Sequence, residues 1–160
     1  MNNKDIMNLA IKQAEKTMNK DIGGPFGAAI VRNGKVIAVA SNTVLGDNDP
    51  TAHAEINAIR KAGAKLKTHD LSDCTLYATG YPCPMCLSAI IWANIKDVYY
   101  GTDLDDAEEI GFRDDFIYKY IGDLKEKQQD ESILCLESMG RDDAIRAFQQ
   151  FAVKSNKIIY

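Results

Sequence analysis

Nothing in this chain approaches the ~18 consecutive apolar residues that a membrane-spanning helix needs, so no membrane association is expected. Its start, MNNKDIMNLAIKQAEK, is charged and amphipathic and lacks the apolar stretch of a secretory signal, which points to the cytoplasm. There is no basic surplus. Lys and Arg total 19 against 23 Asp and Glu, giving a net charge of -4, the opposite of what a nucleic-acid backbone attracts. Cysteine is scarce: Cys74, Cys83, Cys86 and Cys135 are the four, and in the reducing compartment expected from the missing export signal a disulfide framework is not expected. Internal repeats and low-complexity linkers are also missing.

What is present is ordinary globular material. With 160 residues, 46% apolar and 26% charged, the chain can bury a core as one domain without metal or disulfide staples. Apolar positions at Ile6, Leu9, Ala10, Ala14, Thr17 and Met18 predict an amphipathic helix over 3–20, which Gly23, Gly24 and Pro25 end. FGAAIVR and KVIAVAS read as strands joined by the turn Asn33-Gly34. After a polar loop from Asn42 to Pro50, Asp49 as cap and Pro50 as first residue predict a helix through TAHAEINAIRKAGAKL.

CTLYAT is a strand, PMCLSAIIWAN a helix and DVYYG a strand. The acid-rich stretch 103–115 reads as a loop with a short helix, SILCLES as a last strand and DDAIRAFQQFAVK as a last helix. A hairpin followed by alternating strands and helices predicts an α/β fold, a three-layer sandwich with a mixed five-stranded sheet covered on both faces.

Two short motifs carry chemistry. His53-Ala54-Glu55 and Pro82-Cys83-Pro84-Met85-Cys86 each open a predicted helix, about 30 residues apart. One imidazole and two thiolates are three ligands of the softness zinc takes, and three protein ligands leave the fourth tetrahedral position to water. Thiolates at a helix start are stabilised by unpaired N–H groups and the helix dipole. Glu55, two residues past His53, can carry a proton between water and a leaving group. Cys74 and Cys135 lie inside strand-like runs and His69 in a turn, so none is expected to close the site. Cys-x-x-Cys alone would also suit a redox pair or a structural zinc knuckle, but both leave His53 and Glu55 without a role.

His-x-Glu with Pro-Cys-x-x-Cys is the signature of zinc deaminases acting on nucleobases. Beyond it, GGPFGAAIV (23–31), NDPTAHAEINAIRKA (48–62), PCPMCLSAIIWA (82–93), DAEEIGFRDDFIYK (106–119) and FAVKSNKIIY (151–160) resemble the bacterial guanine deaminases of the cytidine deaminase-like superfamily, almost end to end. The first three segments recur loosely in cytosine and tRNA adenosine deaminases.

The resemblance implies a single deaminase domain over 1–160 that deaminates guanine to xanthine and ammonia, with one Zn2+ on His53, Cys83 and Cys86, and Glu55 as proton carrier. It implies a homodimer in which the closing segment, about 151–160, covers the partner's site, with Tyr160 as its last side chain. It also implies that Phe26 stacks on the base, that Asn42 and the backbone of Ala54 hydrogen-bond it, that Trp92 walls the pocket and that Asp114 reads the guanine edge. A later acid, Glu137, Asp142 or Asp143, would assist.

Read without the resemblance, Phe26 and Trp92 are also plausible core, Asn42 a loop cap, Asp114 a solvated acid and Tyr160 a frayed end. Tyr81 stands where these families usually carry glutamate. That departure leaves room for another aminopurine, cytosine or isocytosine, a pterin or an aminotriazine. A tRNA adenosine deaminase or an inactive zinc-binding module are more distant readings.

Overall fold

The computed structural model describes residues 1–126, 130–134, 136 and 139–155. The chain divides into two compact units, Met1–Asp114 and Asp115–Tyr160.

In the first unit, α1 (Asn3–Met18) precedes a hairpin of β1 (Gly27–Arg32) and β2 (Lys35–Ser41). The Asn33-Gly34 turn has positive φ at both residues, 50° and 72°, as a type I′ turn requires. Next come α2 (Val44–Asp47), α3 (Ala54–Leu66), β3 (Cys74–Gly80), α4 (Pro84–Trp92), β4 (Asp97–Thr102) and α5 (Leu104–Glu109). The sheet order is β2-β1-β3-β4; β1 runs antiparallel to both neighbours, and β3 and β4 are parallel.

Alternation along the strands assigns the two faces. Ala28, Ile30, Leu76 and Ala78 pack with Ala54, Ala58 and Ala62 of α3 and Ile90 of α4. Ala29, Val31 and Tyr77 pack with Ile6 and Ala10 of α1. Three alanines at four-residue spacing, none exposed, let α3 lie close against the sheet. On the other face α1 approaches so closely that a Cβ on Gly27 would sit 2.0 Å from the Ala10 carbonyl oxygen, which only glycine tolerates. A bulge between Ile30 and Val31 leaves Ile37 unmatched and turns Val36 to the same side as Val39.

The second unit contains α6 (Asp115–Lys125) and α7 (Arg141–Ala152). Lys119 and Asp123 pair one turn apart on α6. The Tyr120 hydroxyl donates to the Leu134 carbonyl at 3.3 Å. None of the described helices is long and apolar enough to cross a membrane.

Three expectations change. The sheet has four strands among the described residues, not five. The expected strand at 132–138 begins instead as a turn, because Asp130 accepts from the Ser132 N–H and hydroxyl, and its carbonyl takes the N–H groups of Ile133 and Leu134. Backbone donors used locally are lost to a ladder. Secondly, α3 starts at Ala54 with His53 as its cap, not at Asp49-Pro50. The Asp49 carboxylate is taken by the Thr51 N–H (2.8 Å) and hydroxyl (2.7 Å), so it caps a turn. Thirdly, α6 was not foreseen, although Phe116, Ile117, Tyr120, Ile121 and Leu124 have helical spacing. Cys135, Glu137 and Tyr160 lie outside the described residues.

Candidate metal centre and cleft

The sheet delivers two helix starts to one point. The α3 start follows the long excursion from β2, and the α4 start follows directly from β3. His53 caps α3, Cys83 caps α4 with Pro84 at its first position, and Cys86 lies one turn into α4. Pro84 suits that place because its missing N–H would have had no helical partner.

The His53 Nδ1 lies 3.5 Å from Cys83 Sγ and 3.6 Å from Cys86 Sγ. Zinc bonds of about 2.05 Å to nitrogen and 2.3 Å to sulfur at tetrahedral angles put those atoms about 3.6 Å apart. The three ligand atoms all lie within 4.8 Å of one another, and Cys74, Cys83 and Cys86 are free thiols. The donor set therefore fits zinc in kind and in spacing.

The electrostatics favour metal capture. Cys83 is lowered to about 4 by the Cys86 thiol donating to it, helped by His53 and the Cys86 backbone N–H, against the effect of burial. The shift favours the thiolate, the form of cysteine that binds metal. Cys86 is pushed up by that neighbouring thiolate, by burial and by Glu55. His53 is raised by its bond to Cys83, against burial, with smaller help from the charges of Cys83, Glu55 and Asp114. Glu55, 7% exposed, is raised mainly by burial and so holds a proton more readily than an ordinary carboxylate.

Cys86 is fully buried beside His53 and Cys83, and His53, Glu55 and Cys83 line a cleft of about 440 Å³ within the first unit. Phe26, Asn42, Tyr81, Phe112 and Asp114 line it. Phe26 and Phe112 meet edge to face, with centroids 4.9 Å apart. Tyr81 meets Tyr100 in the same way at 5.0 Å, and its N–H donates to the Thr102 carbonyl at 2.8 Å.

Asn42 is buried between loops. Its backbone N–H donates to the Phe26 carbonyl at 2.9 Å, and its Oδ1 accepts from Gly24 (3.3 Å) and Val44 (3.1 Å). With the oxygen occupied, the amide NH₂ is the group left to donate elsewhere. The approach needs glycine at 23, where a Cβ would stand 2.1 Å from the Asn42 carbonyl oxygen.

His53, Glu55, Cys83, Phe26, Asn42 and Asp114 thus share one cleft, while Cys86, within ligand spacing of His53 and Cys83, and Ala54 are fully buried. Trp92 is not among the lining residues. It stands 69% exposed at the end of α4 and outside the buried core. The side chains of Asp142 and Asp143, like Tyr160, are outside the described part. Phe112 was missed by the sequence reading; the signal for it was a lone aromatic between Gly111 and Arg113 in an acidic stretch.

Comparison with known proteins agrees with this geometry. Residues 1–102 match the profile described as "Cytidine and deoxycytidylate deaminase zinc-binding region". The chain is 43% identical over 160 residues to the guanine deaminase of Bacillus subtilis, covering all of both chains. The X-ray structure of guanine deaminase from that organism superimposes with a TM-score of 0.91 at 42% identity, over 100% of this chain and 99% of that one. The tRNA-specific adenosine deaminase of Buchnera aphidicola is 43% identical over 88 residues, which is 55% of this chain and 58% of the Buchnera protein.

Proposed function

This chain belongs to the cytidine and deoxycytidylate deaminase zinc-binding family, and we propose that it hydrolyses guanine to xanthine and ammonia. The observation that carries the reaction class is the buried carboxyl of Glu55 beside the His53, Cys83 and Cys86 donors at the floor of an aromatic cleft. The substrate is supported by the likeness to a guanine deaminase over the full length of both chains. The likeness to a tRNA deaminase stops near half of this chain, and the net charge of -4 is unsuited to a phosphate backbone.

His53, Cys83 and Cys86 hold the zinc in this reading. When bound, zinc lowers the pKa of a coordinated water to about 7. Glu55 accepts a proton from the attacking water and returns it to the departing amine, so that water and guanine leave as xanthine and ammonia. Its raised pKa keeps it able to give the proton back. Phe26, fixed edge-on by Phe112, offers a ring face for the purine to stack on. Asn42 and Asp114, both lining the cleft, respectively donate to a base acceptor and accept from the amine edge in this reading, and the Ala54 backbone adds a further bond.

The working form in this reading is a cytoplasmic homodimer in which segment 151–160 of one protomer, ending in Tyr160, covers the cleft of its partner. Support comes from large apolar side chains left exposed: Ile91 and Trp92 on α4, and Phe148 and Phe151 on α7.

Ammonia release from zinc-loaded protein tests the substrate, with guanine, adenine, cytosine, isocytosine, guanosine, cytidine and a pterin offered separately. Rapid release from guanine alone is expected. Release from another base with guanine inert would keep the zinc site and overturn the substrate, and Tyr81 would be the first wall residue to exchange.

A further inference from the structure

We infer that Asn57 is a positioning residue whose single side-chain amide fixes both the loop that presents Asn42 and the loop that presents His53. The inference rests on the site reading proposed above.

Asn57 lies in the first turn of α3, and its backbone N–H donates to the His53 carbonyl at 2.9 Å. Its Nδ2 reaches three acceptors: the Ser41 carbonyl at 3.0 Å, the Thr43 hydroxyl at 2.9 Å and the Ala52 carbonyl at 3.2 Å. Ser41 and Thr43 flank Asn42, and Ala52 immediately precedes His53. The Thr43 N–H also donates to the Ala52 carbonyl at 2.9 Å, which ties the two strands of the loop together.

One amide therefore grips the chain on both sides of Asn42 and just before a metal ligand. Asn42 has no regular structure of its own to hold it, because β2 ends at Ser41 and α2 begins only at Val44. Its Oδ1 bonds to Gly24 and Val44 orient the carboxamide only while residues 41 and 43 stay in place. Two N–H protons facing three acceptors are shared among them, so no other side chain of this size and shape supplies the same contacts. A carboxylate in its place would face two carbonyl oxygens, and the one hydroxyl among the partners, that of Thr43, already donates to Asp47.

The test uses full-length Asn57→Ala and Asn57→Asp. Its readouts are guanine KM and kcat, cobalt(II) affinity by chelator competition, and thermal unfolding. Loss of a group that orients a ligand typically costs about 10- to 100-fold in metal affinity or activity. We expect guanine KM to rise and cobalt affinity to fall by roughly 10-fold in Asn57→Ala, and by at least as much in Asn57→Asp. The double variant Asn42→Ala/Asn57→Ala should show a KM no higher than Asn42→Ala alone, since the clamp acts through Asn42.

Variants that melt earlier yet keep wild-type KM and cobalt affinity when folded would overturn the inference, as would additive KM effects in the double variant. If Asn57→Asp does not fold, Asn57→Ala carries the comparison. If the wild-type protein releases no ammonia from guanine, the substrate reading fails by itself, and cobalt affinity still decides whether Asn57 holds His53.

Discussion

His53, Glu55, Cys83 and Cys86 stand at the starts of two helices, whereas Phe26, Asn42, Tyr81, Phe112 and Asp114 come from four loops spread across the first unit. The floor is nearly dry: Cys86 is fully buried and Glu55 almost so. The walls are half open, with Tyr81 and Phe112 substantially exposed. Helix starts give the floor fixed spacing and N–H groups that favour thiolates. Loops give the walls freedom to differ without disturbing the chemistry. In the proposed reading the floor sets which reaction is possible, and the walls set which molecule undergoes it.

The sharpest way to break that division is at the floor. Cys86→Ala should leave a protein that purifies without zinc and shows only background ammonia release, measured by metal analysis and a coupled assay. Glu55→Gln should separate the two halves of the floor: full zinc occupancy, with kcat lower by about 10²- to 10⁴-fold. Near-normal turnover in that variant would remove Glu55 as the proton carrier.

At the walls the effects should be smaller and should fall on binding. Asn42→Ala removes one hydrogen-bond donor from the cleft, and guanine KM should rise roughly 10-fold with kcat changed much less. Phe112→Ala removes the edge-to-face support of Phe26, a contact worth about 0.5–1.5 kcal/mol, so KM should rise roughly 2- to 10-fold. A wall variant that lowered kcat at constant KM would show that the floor and the walls are not separable.

The same division explains what could be read from the sequence. The floor was legible because Cys83 and Cys86, and His53 and Glu55, stand at short fixed spacings, and because Pro84 marks the start of α4. The hairpin was legible from Asn33-Gly34 and the alternation around it. The walls were legible only through resemblance, since no periodicity joins Phe26 to Asn42 or Asp114, and Phe112 escaped.

Local hydrogen bonding defeated two pattern readings. Asp49 satisfied Thr51 instead of capping a helix, and Asp130 took the N–H groups of Ser132, Ile133 and Leu134, where the expected fifth strand would have begun. The α6 pattern was hidden by the acidic stretch before it.

Trp92 gives the smallest expected effect and the cleanest check on where the walls end. It lies 69% exposed on the last turn of α4 and outside the cleft. Exposed substitutions away from special contacts usually stay within about 0.5 kcal/mol, so Trp92→Ala should barely change unfolding of the protomer. Guanine KM, measured at concentrations where the homodimer persists, should stay within about 2-fold. What should change is association: loss of a large exposed aromatic from a proposed subunit face should weaken the dimer, seen as a concentration-dependent fall in mass by light scattering. A rise in KM with the dimer intact would place Trp92 among the walls after all, as a side chain one protomer lends to the cleft of its partner.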